Sequence, residues 1–269
     1  MNFYVDNGFV HEYREPFFGA GAIGISLLER SSRVKKIWIN DFDTGISSIW
    51  SSVMNDSDSL IEMIKGFTPS TNAWYQFRKN LLKSGSTQST KMAFEKIAIH
   101  QMSFSGLGLK SGGPLGGKEQ KSQYDIGCRW SVGTLSKRVK EFNKLFSTRT
   151  IKRGKCDNID FKKLLDVKSK GFYYLDPPYY EKGPQLYHRF FTDRDHFRLA
   201  HALEKINNPW LLSYDNCVAV RKMYNWAEIL ELPVNYSINT ARERTELLIT
   251  SKKYKYLLDE PNEVIDLLS

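Results

Sequence analysis

The segment Phe172-Tyr173-Tyr174-Leu175, followed at once by Asp176-Pro177-Pro178-Tyr179, constrains this 269-residue chain more than any other. The aromatic run reads as a buried strand. Two prolines end it, because each fixes φ and lacks the N–H that a ladder needs. A rigid turn accounts for the prolines. It does not account for an acid before them and an aromatic after them. A given Asp-Pro-Pro-Tyr arises by chance in on the order of one per thousand chains of this length at average composition. The carboxyl ends of strands in α/β sheets are where ligands bind. Asp176 therefore stands where chemistry is expected.

The start of the chain supports the same architecture. His11 to Phe18 reads as a strand leading into Gly19-Ala20-Gly21-Ala22-Ile23-Gly24, and a helix-compatible run follows to Arg30. A short apolar strand, Lys36 to Ile39, ends at Asn40-Asp41, and a second helix spans about 43–54. This βαβα pattern predicts a parallel sheet with helices on its faces. In Glu15-Pro16-Phe17-Phe18-Gly19-Ala20-Gly21 the glycines permit a tight turn and close ligand approach. No Walker lysine follows, which argues against an NTPase. Asp41 lies about twenty residues on, at a strand end, where an acid can bind both hydroxyls of a ribose. Each feature alone is as well explained by a turn or a helix cap; together and in this order they favour a nucleoside cofactor.

The middle differs. Residues 59–102 carry helical periodicity without a strong strand, and a glycine-rich basic stretch, Ser105 to Lys118, reads as a long flexible loop. Another helix is expected over 133–146. Strands are expected again at Thr150 to Lys152, Gly171 to Leu175, Trp210 to Ser213 and Glu246 to Thr250, with a helix from His196 to Ile206. The net charge is +9, and between Gly106 and Lys155 twelve Lys or Arg face three acids, so this stretch accounts for the whole excess. That is the footprint expected for a polyanion, although a charge run is as often a solvated face.

Other classes are excluded by what is missing. No apolar run approaches the ~20 residues that span a bilayer, and Met1 to Val10 lacks the charged-then-apolar pattern of a signal peptide. Cys128, Cys156 and Cys217 form no CxxC pair, so neither a zinc site nor a disulfide framework is expected, and a reducing intracellular compartment is. His100, His188, His196 and His201 share no metal spacing and read as structural or surface residues. Trp74, Tyr75 and Phe77 read as core of the middle region rather than base-stacking platforms. Arg242 and Arg244 suit a phosphate or a plain surface equally.

An acid followed by a proline carbonyl suits a particular reaction. The N6 amino group of adenine is a poor nucleophile because its lone pair is delocalised into the ring. A carboxylate oxygen of Asp176 and the carbonyl of Pro177, which proline retains, can each accept one N–H bond. Pro178 stiffens the turn, and Tyr179 can stack on a base taken out of its duplex. In-line methyl transfer is then accelerated mostly by positioning.

These motifs resemble the Dam-like, or D12 class, family of DNA adenine-N6 methyltransferases, over about Glu12 to Thr250. The run from Glu15 to Leu28 is similar to the family's cofactor loop, Ile39 to Asp43 to its ribose-binding strand end, and Leu175 to Tyr180 to its catalytic motif. The resemblance implies an α/β fold: a Rossmann-like S-adenosylmethionine-dependent methyltransferase sheet from residues 1–58 and 147–269, with an inserted helical, basic target-recognition subdomain at 59–146. It implies site-specific methylation of adenine N6 in double-stranded DNA, solitary or within restriction–modification, in a prokaryotic or phage setting. Glu15, Pro16, Phe17, Gly19, Gly21 and Asp41 would bind S-adenosylmethionine, with Asp160 and Phe161 near its adenine. Asp176, Pro177, Pro178 and Tyr179 would be catalytic. Phe190 to Asp193 and His196 are also family-like. The insertion would face DNA, with Lys110, Lys118, Lys121, Arg129 and Trp130 as candidate contacts. The family's glycine–lysine motif (Tyr-x-Gly-Gly-Lys type) does not occur in the fourteen residues before Glu15. Either an upstream segment or a partner subunit completes the methionine end of the cofactor site, or the chain binds the cofactor poorly. Two other readings are an RNA or protein N-methyltransferase and a catalytically incomplete DNA-binding or partner subunit.

Overall fold

The computed structural model describes residues 12–31, 34–83, 85, 87–151, 156–167, 171–181, 183, 191–234 and 244–258. His188, Phe190 and Arg242 lie outside the described residues. The chain divides into two compact units, one of Met1–Ile39 with Asp160–Ser269 and one of Asn40–Ile159. The first unit opens with β1 (Glu12–Glu15), α1 (Ala22–Arg30) and β2 (Lys36–Ile39). The second holds α2 (Thr44–Asn55), α3 (Ser57–Lys65), α4 (Thr71–Lys83), α5 (Thr90–Met102), α6 (Val132–Ser147) and a two-residue strand β3 (Thr150–Ile151). The first unit resumes with α7 (Phe161–Leu165), β4 (Phe172–Leu175), α8 (Asp193–Lys205), β5 (Trp210–Asp215), α9 (Val218–Met223), β6 (Glu228–Val234) and β7 (Arg244–Thr250).

The first unit's strands run in the order β2-β1-β4-β5-β7-β6. The pairs β1–β2, β1–β4 and β4–β5 are parallel, and β7 is antiparallel to both β5 and β6. Every residue of β4 and β5 is buried. That explains the unbroken apolar and aromatic runs: a strand covered on both faces has no reason to alternate. Tyr173, Leu175, Leu199, Leu203, Trp210, Leu212, Tyr214, Leu247 and Ile249 belong to one core cluster.

One charged side chain is built into this core. Arg14 on β1 is fully buried, and its guanidinium donates to the carbonyls of Leu164 (3.0 Å) and Val167 (3.1 Å) and to the Tyr173 hydroxyl (2.7 Å). Glu12 supplies the countercharge at 2.6 Å, and Trp38 and Tyr173 lie 4.8 and 5.3 Å from the guanidinium carbon. A planar cation with several donors suits a site that must satisfy the carbonyls ending α7.

Four elements depart from expectation: α7, α9 and β6 are not anticipated, and one expected helix starts early. The helix read from His196 begins at Asp193, because Thr192 and Asp195 form a reciprocal capping box. Strand β6 was not anticipated. Its sequence, Glu-Ile-Leu-Glu-Leu-Pro-Val, is acid-rich and contains Pro233. Both are tolerated because β6 is the sheet's edge and pairs with β7 alone.

In the second unit the helical run expected over 59–102 is three helices, broken around Pro69 and again before Ser89, whose hydroxyl caps α5. The expected insertion, 59–146, falls within this unit. Trp74, Leu81, Ala98, Ile99, Met102, Leu109 and Ile126 form its core cluster. The glycine-rich stretch is not a structureless loop. Ser103 bridges Pro114, Leu115 N–H donates to Met102 O at 2.7 Å, and Ser111 Oγ donates to Gly113 O at 2.7 Å. Positive φ at Gly106, Gly108, Gly116 and Gly117 makes these tight turns accessible.

Candidate active site

The first unit gathers most of the residues singled out from sequence. Asp176 follows β4 directly and is exposed, whereas Pro177 is buried. The Ser213 hydroxyl on β5 donates to Asp176 Oδ1 at 2.8 Å. Asp176 Oδ2 meets no donor among the described residues. The carboxyl is open to solvent on one side and crowded by protein on the others, which disfavours its charged form. Its pKa is accordingly raised to about 6, with desolvation the main cause, the Ser213 hydrogen bond opposing it, and Glu246 adding repulsion. Beyond the prolines, the N–H groups of Tyr180 and Glu181 donate to the two carboxylate oxygens of Asp215, each at 2.8 Å. Tyr179 is half-buried and its ring centroid lies 6.5 Å from that of Tyr214.

At the end of β1, Glu15 is 2% exposed and accepts the Tyr13 hydroxyl at 2.7 Å. Burial, and then Glu15 itself, push the Tyr13 phenol well above its ordinary range. The chain turns through Pro16 and Phe17, and Gly21 N–H donates to Phe18 O at 2.7 Å. Gly19 and Gly21 have φ of 48° and 75°, the left-handed region that favours glycine. A Cβ on Gly19 would meet nothing within 4 Å, so open space lies beside the turn. The reverse holds at Gly24, where a Cβ would fall 2.6 Å from Glu15 Oε2 and 2.7 Å from Phe18. Helix α1 therefore packs directly on the glutamate, and Gly21, its N-cap, supplies no side-chain hydrogen bond.

Phe17, Phe161 and Phe191 form a triangle with centroid separations of 5.5–5.6 Å. Asp160 caps α7 through Lys162 N–H at 3.0 Å and pairs with Arg198 at 2.8 Å. The Arg198 guanidinium carbon sits 5.2 Å from the Phe161 ring. His196 is buried against Tyr180, Phe191 and Tyr214, and desolvation lowers its pKa.

Asp41 and the basic candidates belong to the second unit. Asp41 Oδ1 accepts Asp43 N–H at 2.8 Å, and Asp43 caps α2 while pairing with buried Lys96 at 2.8 Å. Asn158 Nδ2 donates to the carbonyls of Asp41 (2.8 Å) and Phe42 (2.9 Å), which holds this turn in place. Lys118, Lys121 and Arg129 are exposed and Lys110 is half-buried. Trp130 is half-buried in an aromatic group, 5.1 Å from Phe67 and 6.2 Å from Phe94. Trp74 is buried and its indole N–H donates to Ser103 Oγ at 2.9 Å, while Tyr75 is exposed.

Sequence reasoning passed over Ser213, Asp215 and Asn158. The first two sit in a strand whose polar residues had no visible reason to be there, and that oddity was the available signal.

A largely parallel sheet with an antiparallel β7, a glycine turn after β1 and a carboxylate–proline turn after β4 defines a Rossmann-like methyltransferase. Residues 3–238 match the D12 class N6 adenine-specific DNA methyltransferase family, and the chain belongs to that family. No curated protein matches the chain. The activity is therefore methylation of adenine N6 in DNA. Among the described residues, no helix is long and apolar enough to cross a membrane.

Proposed function

We propose that Asp176 Oδ2 and the Pro177 carbonyl accept the two N–H bonds of the target adenine's N6, that Tyr179 stacks on the extruded base, and that S-adenosylmethionine is the methyl donor. Bound S-adenosylmethionine supplies an electrophilic methyl group on a sulfonium. The site fits such a cofactor at its glycine turn: open space beside Gly19 leaves room for a nucleoside to approach the backbone closely. Glu15, Pro16, Phe17, Gly19 and Gly21 would hold it there, Asp41 would bind the ribose hydroxyls, and Asp160 with Phe161 would lie near the cofactor adenine.

The observation that carries this reading is the Asp176 carboxylate. One oxygen is occupied by Ser213 and the other meets no protein donor among the described residues. Two acceptors converging on N6 bias the nitrogen toward a tetrahedral arrangement and free its lone pair for attack. A carboxylate with raised basicity accepts hydrogen bonds strongly, and so favours the state in which positive charge develops on N6. Pro177 and Pro178 keep the second acceptor from swinging away. Lys110, Lys118, Lys121 and Arg129 would neutralise phosphates of double-stranded DNA.

Asp176→Ala tests the reading. Methyl incorporation into adenine, followed by mass spectrometry of digested DNA, is expected to fall on the order of a thousandfold or more. DNA binding should stay close to that of the parent. Methylation persisting near the parent rate would remove Asp176 from the chemistry.

A further inference from the structure

We propose that Ser213 and Asp215 on β5 are positioning residues for adenine methylation, gripping the segment from Asp176 to Glu181 at its two ends and deciding which carboxylate oxygen meets N6. This rests on the reading of Asp176 as the N6 acceptor.

Pro177 and Pro178 have no N–H, so the segment cannot be secured by a ladder of its own where it leaves β4. The hold must come from a neighbour. The parallel register sets Leu175 opposite Leu212, which brings Ser213 level with Asp176. Residues two apart on a strand share a face, so Asp215 extends the same row.

The polarity of the contact follows from counting protons. The Tyr174 hydroxyl donates to Ser213 Oγ at 3.1 Å. The single Ser213 proton then has two acceptors in reach, Asp176 Oδ1 at 2.8 Å and Leu175 O at 3.4 Å. The nearer, charged acceptor takes it. The relay runs from Tyr174 through Ser213 to Asp176, occupies Oδ1 and leaves Oδ2 for the base. At the far end each oxygen of Asp215 accepts one backbone N–H, from Tyr180 and from Glu181. This closes the turn that aims the Pro177 carbonyl.

Among the described residues, the ionisable groups whose charge interacts with Asp176 are Tyr13 on β1, Tyr174 on β4, Tyr214 on β5 and Glu246 on β7. None is a cation. Ser213 is thus the neighbour that favours the charged carboxylate among the described residues.

The test titrates the Asp176 carboxyl carbon by NMR in the full-length ligand-free protein. Steady-state methylation is measured alongside with DNA and S-adenosylmethionine. Ser213→Ala should raise the Asp176 midpoint by about one pH unit, the scale of one charge-assisted hydrogen bond. It should lower kcat at pH 7 on the order of tenfold, with KM for both substrates within about threefold. Tyr174→Phe should move both quantities in the same direction by less, and it decides the matter if Ser213→Ala melts early. Asp215→Asn should lower kcat without moving the midpoint, because it acts on backbone rather than on the carboxylate. An unmoved midpoint in Ser213→Ala, or parental kcat in both β5 variants, overturns the proposal. Asp176→Ala separates the two ideas. If it still methylates, the N6-acceptor reading fails. If it is inactive while the β5 variants behave as the parent, only the positioning role fails.

Discussion

The charged form of Asp176 is disfavoured in the fold. Its pKa of about 6 lies above the 3.8 of an unperturbed aspartate, so the folded state holds the proton more tightly than the unfolded state does. The sign follows from linkage. Below pH 3.8 the group is protonated in both states and contributes nothing. As pH rises from 3.8 to about 6 the folded state loses relative stability, and above that the loss is complete. Asp176→Asn removes the charge while keeping the shape, so its melting temperature should exceed the parent's by more at pH 8 than at pH 4. An equal difference at both pH values would mean that the carboxylate is as well solvated in the fold as outside it. The same titration should appear in the parent as a methylation rate that rises with pH through about 6, since a carboxyl protonated at Oδ2 presents a donor where the N6 N–H needs an acceptor.

At the scale of elements, the sheet is held to its flanking helix by polar contacts as well as by apolar packing. Arg14 ties β1, the end of α7 and the Tyr173 hydroxyl of β4 together, with Glu12 as countercharge. Arg14→Met keeps much of the volume, removes a donor from the Val167 carbonyl, leaves the Leu164 carbonyl with the Tyr173 hydroxyl at 3.3 Å, and leaves Glu12 without its partner. The expected loss is about 3 kcal/mol, read as a lower urea midpoint with an unchanged slope. A midpoint within error of the parent would show that water replaces the guanidinium. Strand β4 was legible because a doubly covered strand writes an unbroken apolar run. Strand β6 was not, because an edge strand with two acids and a proline carries no such run. Helix α8 was read three residues short, because its start is fixed by the Thr192–Asp195 capping box and not by the apolar periodicity that begins at His196.

For the whole molecule, charge is the property that reaches furthest. The excess of +9 is carried between Gly106 and Lys155. The Lys121–Glu119 ion pair there is exposed on both sides, so it holds Lys121 only weakly. Reversing charge at Lys118 and Lys121 together should weaken DNA binding and reduce the slope of log K against log salt by about two. A slope that does not change would place these lysines outside the DNA interface. Trp130 was a candidate beside them, and the structure accounts for its ring through Phe67 and Phe94. Whether it also reaches a base is decided by Trp130→Leu, which leaves that slope unchanged in either case and alters target discrimination only if it does.

The sequence by itself determined the strand–turn motifs: a carboxylate and prolines after an apolar strand, glycines after another, an acid after a third. These are local because backbone restriction and burial act on consecutive residues. The partners that give those motifs their properties were decided by the tertiary structure. Ser213 lies thirty-seven residues from Asp176 and meets it only because β5 pairs with β4 in one register. Gly24 touches Glu15 only because α1 folds back onto β1. Sequence periodicity records that a residue is buried. Which polar atom it meets there depends on strand order and register, and those are set by packing across the whole sheet.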